Sequence, residues 1–152
     1  MKPMRNILVA TDFSPASRPA LRRGMELALS NGAALWIVHV APQPGPMSPD
    51  GYVLPRIYEE MELAIRTDAQ KRLRALLARS RKAGVRGRAL LLKGVPHEAI
   101  VRSARAHRAE MIVLGTHGRT GIKRLFVGSV AARVVATATC PVLTVRGREI
   151  NR

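Results

Sequence analysis

Four residues with a distinctive spacing lie in the last third of the chain. Gly115 and Gly118 follow the apolar run 111–114, which is typical of a buried strand. After nine intervening residues, Gly128 and Ser129 precede a helical pattern. Glycines let backbone N–H groups approach an anion closely and accept a positive φ at little cost. A helix N-terminus adds free N–H groups and the positive end of a dipole, so we predict a phosphate-binding site here. The intervening loop carries three cations: Arg119, Lys123 and Arg124.

A purely structural interpretation of these residues also stands. The glycines can form a turn, and Gly128 with Ser129 can cap the following helix. The spacing differs from the better-known phosphate fingerprints. The chain has no G-x-x-x-x-G-K-[ST], which excludes a P-loop, and no G-x-G-x-x-G after its first strand, which argues against the usual dinucleotide fold. Spacing alone leaves both interpretations open.

A second candidate site residue, Asp12, comes two residues after the end of the apolar run 7–10. An ionised carboxylate accepts two hydroxyl hydrogen bonds, which suits a ribose. The alternative role is a helix cap, but Ser14, which stands directly before Pro15, can fill that role. We therefore favour a ligand contact for Asp12.

Short apolar runs alternate with amphipathic helical patterns along the whole chain. This alternation is typical of a parallel sheet with right-handed crossovers. We predict strands at 7–10, 34–40, 88–92, 111–114 and 142–145, and helices at 14–30, 55–82, 96–107 and 130–136. The proline- and glycine-rich stretch 41–54 is predicted to be a flexible loop, and 147–152 a tail.

Length and composition favour one cytoplasmic domain that spans residues 1–152. The hydrophobic content of 47% supports a globular core, and no apolar run approaches about 20 residues, so we expect no membrane span. Residues 1–5 lack the apolar segment of a signal peptide. The single cysteine, Cys140, fits a reducing compartment and is expected to be a partly buried structural thiol.

The net charge of +16, from 26 basic and 10 acidic residues, favours anionic partners. Nucleotides, nucleic acids and anionic membrane surfaces all fit such a field. However, the basic residues form no long tract, and aromatic residues at 3% are too scarce to stack on bases. We therefore expect no specific nucleic-acid partner and no membrane partner.

The glycine motif, together with three other segments, resembles a known family. The pattern G-x2-G-x9-G-[ST] is similar to the ATP-binding signature of the universal stress protein family. Three further segments resemble the same family in the right order: Arg5 to Ser14, Gly94 to Ile100 and Cys140 to Val145. The resemblance runs from about Arg5 to Arg146.

The resemblance implies the fold class and the strand order. The expected architecture is α/β, with a single open five-stranded parallel sheet of order 3-2-1-4-5 and helices on both faces, as in Rossmann-like and adenine nucleotide alpha hydrolase-like proteins. This order places a switch point between strands 1 and 4, where ligands bind at the carboxyl ends of strands. Asp12 stands at the end of strand 1, and Gly115 stands at the end of strand 4.

The resemblance also implies a set of nucleotide contacts. The backbone at Ala10 and Thr11 would line the nucleoside pocket, and the main chain of Val40 would read the adenine edge. Ser129 and Val130 would contact phosphate, whereas Ala131 stands where relatives carry a hydroxyl. The complete predicted nucleotide-binding set is Ala10, Thr11, Asp12, Val40, Leu114, Gly115, Thr116, His117, Gly118, Arg119, Gly128, Ser129 and Val130.

The function implied is that of an ATP-binding universal stress protein, a nucleotide-responsive stress regulator. ADP or AMP are alternative ligands, and Mg²⁺ or Mn²⁺ would enter with the phosphates. Two alternatives remain: a slow ATP hydrolase that uses the same pocket, and a basic nucleic-acid-associated stress factor. No convincing general base accompanies the motif, so we predict no catalytic residue and no separate metal site. His117 fits a phosphate contact, a proton donor and a solvated loop residue equally well.

The last strand predicts an assembly. An unpaired apolar edge needs a cover, and the resemblance implies a homodimer in which strand 5, from Pro141 to Arg146, pairs antiparallel about a two-fold axis. The alternative cover is the tail after Arg146. A Leu143→Pro substitution is expected to remove an edge N–H and to favour the monomer.

Overall fold

Five strands and four α-helices alternate along the part of the chain that the structure describes, as the apolar pattern predicts. The computed structural model describes residues 3–43, 55–116 and 127–147. The strands are β1 (Asn6–Ala10), β2 (Ala34–Val40), β3 (Gly87–Leu92), β4 (Met111–Gly115) and β5 (Val142–Val145). The helices are α1 (Arg18–Asn31), α2 (Pro55–Lys82), α3 (Pro96–Ala106) and α4 (Ser129–Thr137), and a 3₁₀ turn over Pro15–Ser17 precedes α1.

The strands form one parallel sheet in the order β3-β2-β1-β4-β5. The predicted fold class and strand order are therefore confirmed. The central strand β1 is paired on both sides, since Ile7 lies opposite Leu35 of β2 and Met111 of β4. The chain runs outward from β1 in both directions, so a crevice opens at the carboxyl ends of β1 and β4.

Alternate side chains of β1 enter two separate cores. Ile7 and Val9 pack on the face that carries α1 and α2, whereas Leu8 and Ala10 pack on the face that carries α3 and α4. Burial on both faces explains why these strands are continuously apolar. Helix α1 lies close to the sheet at Gly24, where a Cβ atom would collide with the Val9 side chain.

The register of β5 against β4 corrects one expectation, namely that the N–H of Leu143 lies on the free edge of the sheet. The Ile112 N–H donates to the Pro141 carbonyl (3.0 Å), and the Thr116 N–H donates to the Val145 carbonyl (3.0 Å). Successive backbone N–H groups along a strand point to opposite sides. The N–H of Leu143, midway between Pro141 and Val145, therefore also points towards β4. The outward N–H groups of β5 belong to Val142 and Thr144. A proline at Leu143 would therefore break the sheet itself rather than its free edge.

Within the described residues, no helix combines the length and the hydropathy that a bilayer span requires. Cys140 is partly buried, and burial raises the pKa of its thiol, which agrees with the expected structural role.

Candidate functional site

A cavity of about 330 Å³ opens at the carboxyl ends of β1, β2 and β4, against the start of α4. The structure brings ten of the thirteen predicted site residues together around it. The ten lining residues are Ala10, Thr11, Asp12, Val40, Leu114, Gly115, Thr116, Gly128, Ser129 and Val130. The other three, His117, Gly118 and Arg119, lie outside the described residues, as do Lys123 and Arg124.

The start of α4 forms one wall of this cavity. Gly128 is the N-cap, no described side chain caps the helix, and the first helical hydrogen bond runs from the Ala132 N–H to the Gly128 carbonyl (2.9 Å). The N–H groups of Ser129, Val130 and Ala131 therefore precede the helical ladder. They can donate to an anion at the positive end of the helix dipole.

The same helix start is held against the end of β4. The Gly128 N–H donates to the Thr116 carbonyl over 2.6 Å, and the Thr116 N–H donates to the Val145 carbonyl of β5. Gly128 itself has φ −55° and ψ 152°, a conformation that any residue adopts. A need for positive φ, which is one reason to expect glycine here, therefore does not apply at Gly128. The lack of a side chain leaves room beside the helix N-terminus.

Asp12 also lines the cavity, from the turn that follows β1. Its Oδ1 atom accepts hydrogen bonds from the Ser14 N–H (2.9 Å) and from the Ser14 hydroxyl (2.6 Å). The Ser14 hydroxyl is therefore directed at Asp12 and does not cap the following 3₁₀ turn, contrary to the sequence-based expectation. Asp12 both orders this turn and lines the cavity.

The ionisation of Asp12 follows from these contacts. Burial alone raises the pKa of the carboxyl, but hydrogen bonds from Ser14 and Ser17 stabilise the charged form and outweigh burial, so the pKa lies below its ordinary value. Asp12 is consequently a carboxylate at neutral pH, able to accept hydroxyl hydrogen bonds.

A buried histidine, His39, also lines the cavity. His39 is only 4% exposed, and its Nδ1 lies 2.8 Å from the Thr11 carbonyl oxygen. Its ring also packs on Phe13, with the ring centroids 4.2 Å apart. The sequence places His39 within the apolar run 34–40, a position that favours a satisfied, partly buried histidine over a ligand. It does not predict that the residue lines the cavity, because the apolar strand pattern carries no signal for the neighbouring turn.

The end of β2 presents main-chain groups to the cavity. The Thr11 N–H donates to the Val38 carbonyl, whereas the Ala41 N–H donates to the Leu92 carbonyl of β3, both over 2.9 Å. Backbone groups alternate in direction along β2, so the N–H and carbonyl of Val40 face the β1 side. Val40 lies two residues beyond Val38, which forms the last β1–β2 pair with Ala10.

Five further lining residues were not predicted as ligand contacts: Ser17, Val38, Pro96, Ile100 and Ala131. Ile100 and Ala131 belong to the buried core between α3 and α4. Their apolar character is equally compatible with core packing, so nothing in the sequence marks them as part of a cavity. No group of three or more His, Cys, Asp or Glu side chains within the described ranges could hold a metal by itself.

Comparison with known proteins gives a consistent family. Residues 3–146 match the model of the Universal stress protein family. A universal stress protein of Thermus aquaticus is 38% identical over 142 residues, covering 93% of this chain and 98% of the relative. A universal stress protein of Methanocaldococcus jannaschii is 32% identical over 145 residues, covering 93% of this chain and 82% of the relative.

Solved structures share the same architecture. UspA from Lactobacillus plantarum superposes with a TM-score of 0.82 at 26% identity, covering 94% of this chain and 98% of that one. A universal stress protein from Archaeoglobus fulgidus in complex with dAMP gives a TM-score of 0.66 at 28% identity, covering 96% and 100%. A universal stress protein in complex with cAMP gives a TM-score of 0.64 at 26% identity, covering 96% and 99%.

Proposed function

The chain belongs to the universal stress protein family, and we propose that its cavity between β1 and β4 binds an adenine nucleotide, with ATP as the ligand. One observation carries this proposal. The N-terminus of α4 and Asp12 line the same cavity, at the switch point of the sheet. An anion site and a hydroxyl acceptor in the same crevice suit a molecule that contains both phosphate and ribose.

The cavity walls give the nucleotide an orientation. The phosphates lie at the N–H groups of Ser129 and Val130, and the ribose hydroxyls donate to Asp12. The adenine lies towards β2, where the N–H and carbonyl of Val40 offer a donor and an acceptor to the base edge. Related proteins in complex with dAMP and with cAMP support an adenine nucleotide as the class of ligand.

A divalent cation enters with the phosphates in this proposal. Asp12 is the one carboxylate among the described residues that line the cavity. Mg²⁺ is commonly held by one or two carboxylates together with phosphate oxygens. Because Asp12 accepts from the ribose hydroxyls in this orientation, Mg²⁺ or Mn²⁺ would be held by the phosphate oxygens and by water. The cation would neutralise phosphate charge.

We favour a regulator that binds nucleotide over an enzyme that turns it over. The titratable side chains among the described lining residues are Asp12 and His39. Each is already held by hydrogen bonds within the protein, to Ser14 and to Thr11 respectively. A general base must reach the water that it activates. The hydrogen bonds of Asp12 and His39 instead hold the turn that follows β1. Nucleotide occupancy would then be the signal that a partner protein reads.

The proposed assembly is a homodimer through β5. Among the described residues this strand pairs with β4 alone, so no described strand covers its outer edge, from Pro141 to Arg146. The residues of β5 are only partly buried. Antiparallel pairing with a second copy would satisfy the outward N–H groups and cover this edge.

Two measurements test nucleotide binding. Denaturing the purified protein and analysing the supernatant by mass spectrometry should release an adenine nucleotide. Calorimetric titration with Mg²⁺ and ATP should then show that Asp12→Ala weakens binding by about tenfold to a hundredfold, the effect of losing a hydrogen bond to a charged group.

The matched control for this titration is Asp68→Ala. Asp68 is an exposed α2 residue paired with Arg72, so its loss changes the net charge equally but leaves the cavity untouched. Equal affinities in wild type and Asp12→Ala, with both proteins folded, would place the nucleotide elsewhere and overturn the proposal.

A further inference from the structure

A second concave surface lies on the opposite side of the sheet from α3 and α4. Helix α1 packs mainly over β1 and β4, whereas α2 packs mainly over β3 and β2. The two helices therefore stand apart, and a groove of about 460 Å³ runs between them. It shares no lining residue with the cavity at the carboxyl ends of the strands.

The floor of this groove is apolar. Leu21 and Val85 are buried at its base, and Met25 and Leu76 pack against the same core. Leu29 is 58% exposed at its α1 side. A large aliphatic side chain that is more than half exposed, beside an apolar floor, leaves hydrophobic area for a partner to cover.

The rim of the groove is cationic. Arg18 and Arg22 on α1 and Arg79 on α2 line it, and all three are exposed. The ion pairs formed among the described residues engage other cations, and none involves these three arginines. Glu26, the one carboxylate among the described lining residues, is paired with Arg23. The rim thus carries three positive charges that the described part of the chain does not neutralise.

We propose that this α1–α2 groove docks an acidic amphipathic helix of a partner protein. The apolar face of such a helix would cover Leu29 and the groove floor, and its carboxylates would pair with the arginines of the rim. Charge complementarity selects the partner, because the rim repels basic helices. Docking here leaves the nucleotide cavity free.

The chemistry of the groove favours a helix over the other anionic partners. A nucleic acid would place its charged backbone against an apolar floor, and none of the described groove-lining residues is aromatic to stack on bases. A membrane surface is flat or gently curved, whereas this site is concave between two helices. From Arg18 to Leu29, α1 rises about 16 Å, which matches three turns of a partner helix.

The test uses a fluorescein-labelled synthetic peptide with leucines at i, i+4, i+7 and i+11 and glutamates on the flanks. Its binding to the full chain is followed by fluorescence anisotropy, and its site by backbone amide shifts. The groove variants are Leu29→Gln and Arg22→Gln. The matched controls are Leu63→Gln, at a leucine 62% exposed on α2, and Arg74→Gln, at an exposed α2 arginine outside the groove.

We expect each groove variant to lower the affinity for the peptide by about tenfold, as for central contacts of an interface. Each control should change this affinity by less than about twofold. Amide shifts should cluster on α1 and the C-terminal half of α2. A peptide with glutamine for glutamate should bind weakly.

Three results would overturn the proposal. If Arg74→Gln weakens binding as much as Arg22→Gln, attraction by net charge explains it. If a short DNA duplex displaces the peptide and is itself sensitive to Leu29→Gln, the groove is a nucleic-acid site. If Leu29→Gln lowers the mass of the unliganded protein in light scattering, a second copy covers the groove.

Discussion

The Nδ1 atom of His39 lies 2.8 Å from the main-chain oxygen of Thr11. A carbonyl oxygen only accepts hydrogen bonds, so Nδ1 carries the proton and donates. The bond ties the buried end of β2 to the turn that carries Asp12. The β1–β2 ladder ends one step earlier, at the bond between Thr11 and Val38, and the main chain of Val40 is left facing the cavity.

This relationship predicts an effect of His39→Leu on stability. Leucine fills much of the space of the ring but cannot donate, so the carbonyl of the buried Thr11 would lose this partner. We expect the free energy of unfolding to fall by about 1–3 kcal/mol, measured by urea denaturation. His39→Asn is the matched control, because its amide can place a donor near the position of Nδ1, and it should lose less. Equal losses in both variants would show that ring packing on Phe13 matters more than the hydrogen bond.

The second prediction concerns acid stability through Asp12. The folded-state pKa of this carboxyl is lowered, so its contribution to stability is present above the unfolded pKa and is lost as pH falls through the folded pKa. Asp12→Asn keeps an oxygen acceptor for Ser14 but has no charge to titrate. The stability difference between wild type and Asp12→Asn should be constant above about pH 5 and shrink below the ordinary aspartate pKa of about 3.9.

Unfolding curves recorded in urea at several pH values measure this difference. A difference that grows as the pH falls would mean that the pKa of Asp12 is raised in the folded state and that burial outweighs the serine hydrogen bonds.

The third prediction concerns the space at Gly128. A valine there would place a branched side chain beside the free N–H groups of α4. Because φ is −55°, the backbone itself accepts valine, and we expect a loss of about 1 kcal/mol or less in stability, as for a weaker N-cap. The affinity for ATP with Mg²⁺ should nevertheless fall by more than about tenfold. Gly128→Ser, a smaller and better N-cap, is the control in the same calorimetric titration and should retain more affinity. Unchanged affinity in the valine variant would mean that phosphate does not approach this helix.

The fourth prediction separates the two sides of β5. Thr144→Pro removes an outward N–H, whereas Leu143→Pro removes one that faces β4. Proline is tolerated on the free side of an edge strand but not within a ladder. In multi-angle light scattering, wild type should have the mass of two chains and Thr144→Pro the mass of one, with its thermal unfolding still cooperative. Leu143→Pro should lose stability outright. A wild-type mass of one chain at micromolar concentration would contradict the proposed dimer.

The fifth prediction concerns the strong positive charge. With a net charge of +16, the protein should bind DNA at low salt, because binding releases counterions from the DNA. That binding should fall at least about tenfold between roughly 50 and 200 mM salt, with equal affinity for unrelated sequences. Filter binding with random competitor measures both properties. One protected sequence at physiological salt would instead favour a specific nucleic-acid role.

Much of the fold was determined by the sequence alone, because its signals are local. The apolar runs define the strands, and proline and glycine mark helix ends close to their observed positions, as at Pro96 and Gly32. The strand order came from the family resemblance of the four segments rather than from periodicity. That order in turn brings Asp12 and Gly115 to one crevice.

Only the tertiary structure decided which neighbours these residues meet. The direction of the Leu143 N–H depends on the register of β5 against β4, and a shift of one residue would reverse it. The Ser14 hydroxyl faces Asp12, not the helix, and His39 reaches a turn that precedes it by 28 residues. The α1–α2 groove exists because the two helices pack over different strand pairs. Such relationships depend on packing between segments distant in the chain, which local propensity and spacing do not encode.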